Sequence, residues 1–535
     1  MDFFLTLVSI SVPIFYALII IDLIRLILFN VYIWQRKEYR WDRIVSFIHT
    51  EEGKRFLANP FVILKWIVFI LFFFSPLYLP SLTILFFLLT QFIIVVNLFF
   101  GFKNFKRPKF TFRSLTLIFG LLIIFVGLSL SFFFFFSFLF LLDHLLFILS
   151  GFLVLITSIP SLLYVKYTVY KAHKKIKNFP NLVVIGITGS FGKTTTKEFL
   201  ATIVSQKYRV LKTEGTNNTE IGIANTILRK LTPDIQIFIA EMGAYKRGEI
   251  KTLCNLIHPQ IGVLTGINEE HIELFGSIEN TMRAKYELLI CLKQNGMAFL
   301  NSSSKPLTEI GKWVSRDRKD IKKYWYGGYS LQNKENSVDI KDIKSGLESL
   351  SFEMCWKGKC VPCVTTFGGE QFIQNISGSA SVAAELGLSL TDIAQGISNL
   401  SLPDNRMKLK KFGKVHIVDD TYNSNPDGVL TGLKYLSQFH GKKWFVFSPL
   451  IELNKEGKFI HKEISKEAEK TCDRIFLTNS NYSEEFLRIK KDKIYILRNE
   501  KQLDFYPFDD TEDIMIYFSG REAKRQMELL LKKIK

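Results

Sequence analysis

Cysteine is scarce. Six residues in 535 (Cys254, Cys291, Cys355, Cys360, Cys363 and Cys472) cannot build a dense disulfide framework, so a reducing compartment is expected. Cys355, Cys360 and Cys363 offer three sulfurs without an obvious fourth ligand, and the Gly358 turn among them reads as a hairpin rather than a zinc site. Acidic residues are also few, 50 Asp and Glu against 69 Lys and Arg, for a formal net charge of +19. The excess is uneven: residues 1–180 hold 18 Lys and Arg but only 7 Asp and Glu. Basic residues concentrated in the apolar third argue for membrane-flanking loops and against nucleic acid as a partner. Charge is nearly absent from Phe61–Phe74, Leu82–Gly101 and Phe133–Leu142, which excludes one ordinary soluble domain, because water would leave such runs unburied. The N-terminus lacks a basic run before its apolar stretch and lacks a small-residue cleavage site, so no removed signal peptide is expected.

What is present in the first third is aromatic and aliphatic, with many of the chain's 50 Phe. Windows of about 20 apolar residues fit at 3–29, 60–79, 82–101, 115–136 and 144–165, which predicts an N-terminal α-helical transmembrane region of five spans over residues 1–170. Basic residues fall in alternate connections: Arg36–Arg55, Lys103–Arg113 and Lys166–Lys177 carry them, whereas Pro76–Ser81 and the segment near Asp143 do not. The expected arrangement is a multi-pass protein of the cytoplasmic membrane with its C-terminal bulk in the cytoplasm and the lipid bilayer as a partner. Asp22, Arg25, Lys65, Asp143 and His144 lie within or beside spans and are expected to snorkel or to sit at the interface. The aromatic and basic segment 32–59 suits either a helix on the inner leaflet or a solvated connector.

From Pro180 the pattern alternates short strands and helices, as in an α/β domain with a mostly parallel sheet. A strand over Leu182–Ile187 runs into Thr188-Gly-Ser-Phe-Gly-Lys-Thr-Thr-Thr196, and a helix is expected from about Lys197. Gly189 and Gly192 allow the backbone to wrap phosphate oxygens, with Ser190 and Thr195 in the same loop. Lys193 adds a cation, and Thr194 is placed to hold Mg2+. The strict P-loop spacing is missed by one position, since residue 187 is Ile and the nearest glycine is Gly186.

The run Gly186–Thr196 resembles the ATP loop of the Mur ligases, which join amino acids to the peptidoglycan precursor. In order, Gly215–Gly222, Glu241–Ala244, His258–Thr265, His271–Gly276, Arg283–Glu287, Asn405–Met407 and Asp419–Pro426 also resemble motifs of that family, the last two those of its D-alanyl-D-alanine-adding branch. The resemblance implies a P-loop central domain over 178–400 and a Rossmann-like α/β C-terminal domain over 401–535. It also implies ATP-dependent amide ligation, with D-alanyl-D-alanine joined to UDP-MurNAc-tripeptide. By resemblance, Glu241, His271, Thr194 and a carbamylated Lys285 hold Mg2+. Lys193, His271 and Lys285 serve catalysis, while Asn375, Arg406 and Asp420 join Gly189, Ser190, Gly192, Lys193, Thr194 and Thr195 around ATP. Asn218, Thr219, Asn423 and Asn425 are expected near substrate.

The likeness has gaps. Gln371-Phe372 stands where the family usually has a His-Asn pair, Ser302-Ser303 replaces an acidic pair, and Ser448–Leu453 lacks an expected glycine. Nothing in residues 1–180 resembles the small domain with which such enzymes grip the UDP-sugar. Two alternatives therefore stand beside the leading reading: a ligase for a lipid-linked or other carboxylate, and a P-loop membrane ATPase.

Overall fold

The computed structural model describes the chain apart from residues 1, 50–52, 55, 57–62, 65–66, 68–69, 72–82, 104–105, 132–141, 269–271, 328–337, 405, 423, 451–452, 454–455, 489–492, 498–511 and 535. It divides into two units, Met1–Lys166 and Tyr167–Lys535.

The first unit is helical, with helices Asp2–Arg36, Trp41–His49, Thr83–Lys103 and Phe112–Ser131 and most of Leu142–Lys177. Its core joins Leu23, Ile27, Val31 and Trp34 to Leu117, Leu121, Leu146 and Val154, and the Trp34 indole N–H donates to Ser150 Oγ at 2.9 Å. Among the described residues, two stretches are long and apolar enough to cross a bilayer, Ala17–Arg36 and Leu146–Lys177. The apolar stretches Gln91–Phe102 and Phe112–Gly127 are shorter, so two candidate spans stand among the described residues against the five expected. The expected window 60–79 lies largely outside the described residues. Asp22 and Arg25 face each other. They form an ion pair at 2.6 Å one helical turn apart with Asp22 buried, since pairing offsets the cost of removing each charge from water. Lys65 and the side chains of Asp143 and His144 lie outside the described residues.

In the second unit, the central strands of the two large sheets are apolar and buried, as a sheet covered on both faces requires. The first sheet contains β1 (Val183–Thr188), β2 (Val210–Lys212), β3 (Ile237–Glu241), β4 (Ile261–Leu264), β5 (Met297–Asn301) and β6 (Lys322–Tyr326). Its order is β2-β3-β1-β4-β5-β6, parallel throughout. An antiparallel meander follows, β7 (Asp339–Ser345), β8 (Leu350–Trp356) and β9 (Lys359–Thr365). The second six-stranded sheet uses β10 (Lys408–Phe412), β11 (Val415–Asp420), β12 (Lys442–Phe447), β13 (Arg474–Leu477), β14 (Ile494–Ile496) and β15 (Ile514–Ser519). Its order is β10-β11-β15-β12-β13-β14, with only β10 antiparallel to its neighbour.

The Gly358 hairpin is present: Lys357 and Gly358 turn with φ of 50° and 77° between β8 and β9. Register then sets Cys355 opposite Cys360, and the two form a disulfide. One disulfide among six cysteines is still no dense framework, and it forms because cross-strand partners beside a two-residue turn lie within bonding reach.

Phe299 is fully buried in β5 and stacks on Tyr324 at 4.8 Å. Phe299→Ala is expected to destabilise the protein by about 3–5 kcal/mol, read from the chemical-denaturation midpoint of the purified protein.

Candidate active site

The first sheet reverses its strand order at β1, whose neighbours β3 and β4 lead away in opposite directions. Loops leaving the carboxyl ends of adjacent strands diverge at such a point and leave a crevice. Register carries Ile187 to Glu241 on one side and Thr188 to Leu264 on the other. The loop after β1, the end of β3 and the segment after β4 are thereby brought together.

The loop is held tightly from below. Gly189 has φ 154°, and a Cβ there would lie 2.2 Å from Thr265 Oγ1. Ser190 N–H donates to Gly266 O at 2.7 Å, and the Thr265 hydroxyl donates to Phe191 O. Gly192, at φ 77°, precedes a helix over Lys193–Val204, which begins four residues before the expected Lys197. Its left-handed backbone lets the first turn start directly after the loop, so the amide groups of the helix N-terminus face the crevice. Lys193 Nζ lies over the loop, donating to the carbonyls of Gly189 at 2.7 Å and Ser190 at 2.8 Å.

One cleft is lined by Gly189, Ser190, Gly192, Lys193, Thr194, Asn218, Glu241, Lys285, Arg406 and Asn425 among the expected residues, with Thr216, Tyr245, Phe275, Tyr422 and Arg521 beside them. Glu241 is 1% exposed and accepts from Asn218 Nδ2 at 3.1 Å and Lys197 Nζ at 3.2 Å. Lys285 is 3% exposed, and its ammonium donates to Ala244 O at 3.3 Å. Thr194 and Glu241 supply the hard oxygen donors that suit Mg2+, whereas the Lys285 ammonium does so only after conversion to a carbamate. His271 and Asn423 lie outside the described residues.

The C-terminal sheet contributes the opposite wall. Arg406 Nη2 donates to Thr194 Oγ1 at 3.2 Å, and its guanidinium sits 4.9 Å from the Tyr422 ring centroid. The Tyr422 and Thr216 hydroxyls hydrogen-bond at 2.6 Å, and Arg521 Nε donates to Tyr422 O at 3.4 Å. Asn268 Nδ2 donates to Asp427 Oδ2 at 2.9 Å.

Among the other expected residues, Asn375, Thr195, Thr219 and Asp420 stand back from the cleft lining. Asn375 Nδ2 donates to Thr196 Oγ1 at 3.0 Å and Gly192 O at 3.3 Å, bracing the loop. Thr195 is buried in the first helical turn, and Thr219 caps its own helix by accepting from Gly222 N–H. Asn425 both lines the cleft and caps Pro426–Ser437. Asp420 accepts from the Tyr517 hydroxyl at 3.2 Å. Lys197, Tyr422 and Arg521 escaped the sequence reading, although Lys197 falls one helical turn beyond Lys193 and Tyr422 lies inside the 419–426 run.

Gly189→Ala should impose about 1–3 kcal/mol of local strain and weaken nucleotide binding about tenfold or more by calorimetry. Burial pushes the Asp420 carboxyl up to about 6. The folded form then holds its proton more tightly than the unfolded chain, so ionisation costs stability as pH rises from about 4 through 6. Asp420→Asn should therefore raise the unfolding midpoint at pH 7, with the gain fading below about pH 4, as a pH series of thermal melts would show.

Comparison with known proteins places this geometry. Residues 187–383 match the Mur ligase middle domain, and residues 405–518 match the Mur ligase, glutamate ligase domain. Two similar proteins are UDP-N-acetylmuramoyl-tripeptide--D-alanyl-D-alanine ligases. That of Bacillus subtilis is 29% identical over 52% of this chain and 59% of its own length, and that of Synechocystis is 31% identical over 52% and 58%. The chain thus spans about three-fifths of the curated relatives it matches. The crystal structure of MurF ligase from Thermotoga maritima in complex with ADP aligns with a TM-score of 0.60 at 26% identity, covering 69% of this chain and 84% of that one. The two matched domains together take in more than half of the residues, and the chain belongs to the Mur ligase family.

Proposed function

We propose that the protein is an ATP-dependent amide ligase of peptidoglycan precursor synthesis, joining D-alanyl-D-alanine to UDP-MurNAc-tripeptide. The observation that carries this reading is the meeting of Lys193, Thr194, Glu241, Lys285 and Arg406 at one cleft between two α/β layers. In this reading the substrate carboxylate attacks the γ-phosphorus of ATP, ADP leaves, and an acyl phosphate forms. The amine of the incoming dipeptide then adds to the acyl carbon, phosphate departs, and an amide remains. Lys193 and Arg406 offset the negative charge that develops on the transferring phosphoryl group. The Gly189–Gly192 loop orients the triphosphate through its backbone amides. Mg2+, held by Thr194, Glu241 and, once it has added carbon dioxide, Lys285, would neutralise the phosphates further.

Membrane attachment through the first unit belongs to the same proposal. Support comes from the two apolar helical stretches and from large apolar side chains turned outward, including Phe99, Phe112, Ile123 and Ile148. In this reading the basic connections favour a multi-pass protein of the inner membrane with its catalytic part in the cytoplasm.

Purified protein given ATP, UDP-linked tripeptide and D-alanyl-D-alanine should yield the UDP-pentapeptide by mass spectrometry. Turnover only with a lipid-linked acceptor would favour the second substrate reading, and ATP hydrolysis without any amide product would favour the membrane ATPase. Lys193→Ala and Lys285→Ala should each abolish ligation, and a short-chain carboxylic acid should partly restore the latter. Full activity of unrescued Lys285→Ala would overturn the carbamate.

A further inference from the structure

Lys197 is fully buried and does not line the cleft, yet it touches the residue read here as a metal-binding carboxylate. It stands one turn beyond Lys193 on the same helix. Its Nζ donates to Glu241 Oε2 at 3.2 Å and to the Gly215 carbonyl, and lies 3.3 Å from Glu198 Oε1. An ammonium has three N–H donors, and these three oxygens can engage all of them. Glu198 is anchored in turn by Lys212. On the other side, Asn218 Nδ2 donates to Glu241 Oε1 at 3.1 Å.

Each Glu241 oxygen therefore has one fixed donor, which sets the plane of the carboxylate while leaving each oxygen further acceptor capacity. We propose that Lys197 is a positioning residue: it compensates the buried Glu241 from behind and aims its remaining lone pairs into the cleft for a divalent cation. The same ammonium ties the 215–222 segment, which carries Asn218, to the phosphate-loop helix. This inference rests on reading Glu241 as a metal ligand. Partners that orient a ligand without touching the metal typically change metal affinity about 10–100-fold when removed.

The test is ADP binding to the full-length protein by calorimetry across a Mg2+ titration, with a parallel series in EDTA. Lys197→Met should raise the Mg2+ concentration for half-maximal ADP binding at least about tenfold and leave ADP affinity in EDTA unchanged. Lys197→Arg keeps the charge but cannot direct three donors from one point, so it should raise the Mg2+ requirement too, and it decides the matter by the same criterion if Lys197→Met does not fold. Glu241→Gln should raise the Mg2+ requirement at least as far as Lys197→Met does, with the Lys197→Met/Glu241→Gln double variant no worse than Glu241→Gln alone. An unchanged Mg2+ requirement overturns the proposal, as does equal loss of ADP affinity with and without Mg2+, the mark of a merely structural lysine. Wild-type ADP binding without Mg2+ dependence overturns it together with the ligand reading of Glu241. Mg2+-dependent ADP binding without amide product overturns the ligase reading alone.

Discussion

A carboxylate at 1% exposure is the constraint around which this site is organised. Glu241 ends β3 beside the phosphate loop, where it cannot reach bulk water, and an uncompensated charge there would cost several kcal/mol. Its two donors come from separate pieces of chain, Lys197 on the helix after the loop and Asn218 on the segment after β2. Satisfying the charge thus fastens three elements to one another and leaves one edge of the carboxylate facing the cleft.

The phosphate loop obeys a second constraint, that of space. Thr265 and the Gly266 carbonyl crowd the place a Cβ would take at Gly189, and Gly192 holds a left-handed φ of 77° that disfavours any side chain, so the loop keeps its shape. Thr265 and Asn375 are remote in sequence from the loop, and neither carries the chemistry of the proposed reaction. Their contribution is to hold backbone amides where phosphate oxygens would lie.

The two sheets of the second unit meet through side chains rather than through backbone pairing. Arg406 to Thr194, Tyr422 to Thr216 and Asn268 to Asp427 are polar contacts of the kind that can be broken and remade, as the proposed ligase would need in order to admit ATP and release ADP. The first unit follows other rules. Its exposed surface is rich in Phe, Ile and Leu, and its buried charges pair within one helical turn.

How much of this could be read in advance differs by element. The strand expected over Leu182–Ile187 lies at Val183–Thr188 and runs into the glycine loop and a helix start, because these are local features, and Gly189, Lys193, Glu241 and Lys285 line one cleft. Among the described residues two candidate spans stand against the five expected, and much of the 60–79 window lies outside those residues. The Cys355–Cys360 pairing depends on strand register, and the contacts of Lys197 and Arg521 depend on which distant residues they meet. The sequence by itself determined the alternating α/β plan, the phosphate loop and the apolar front of the chain, since each is written in spacing along the backbone. Only the tertiary structure decided which cation compensates Glu241 and which residues face the cleft, because burial and pairing are settled between segments that meet only when the sheets assemble.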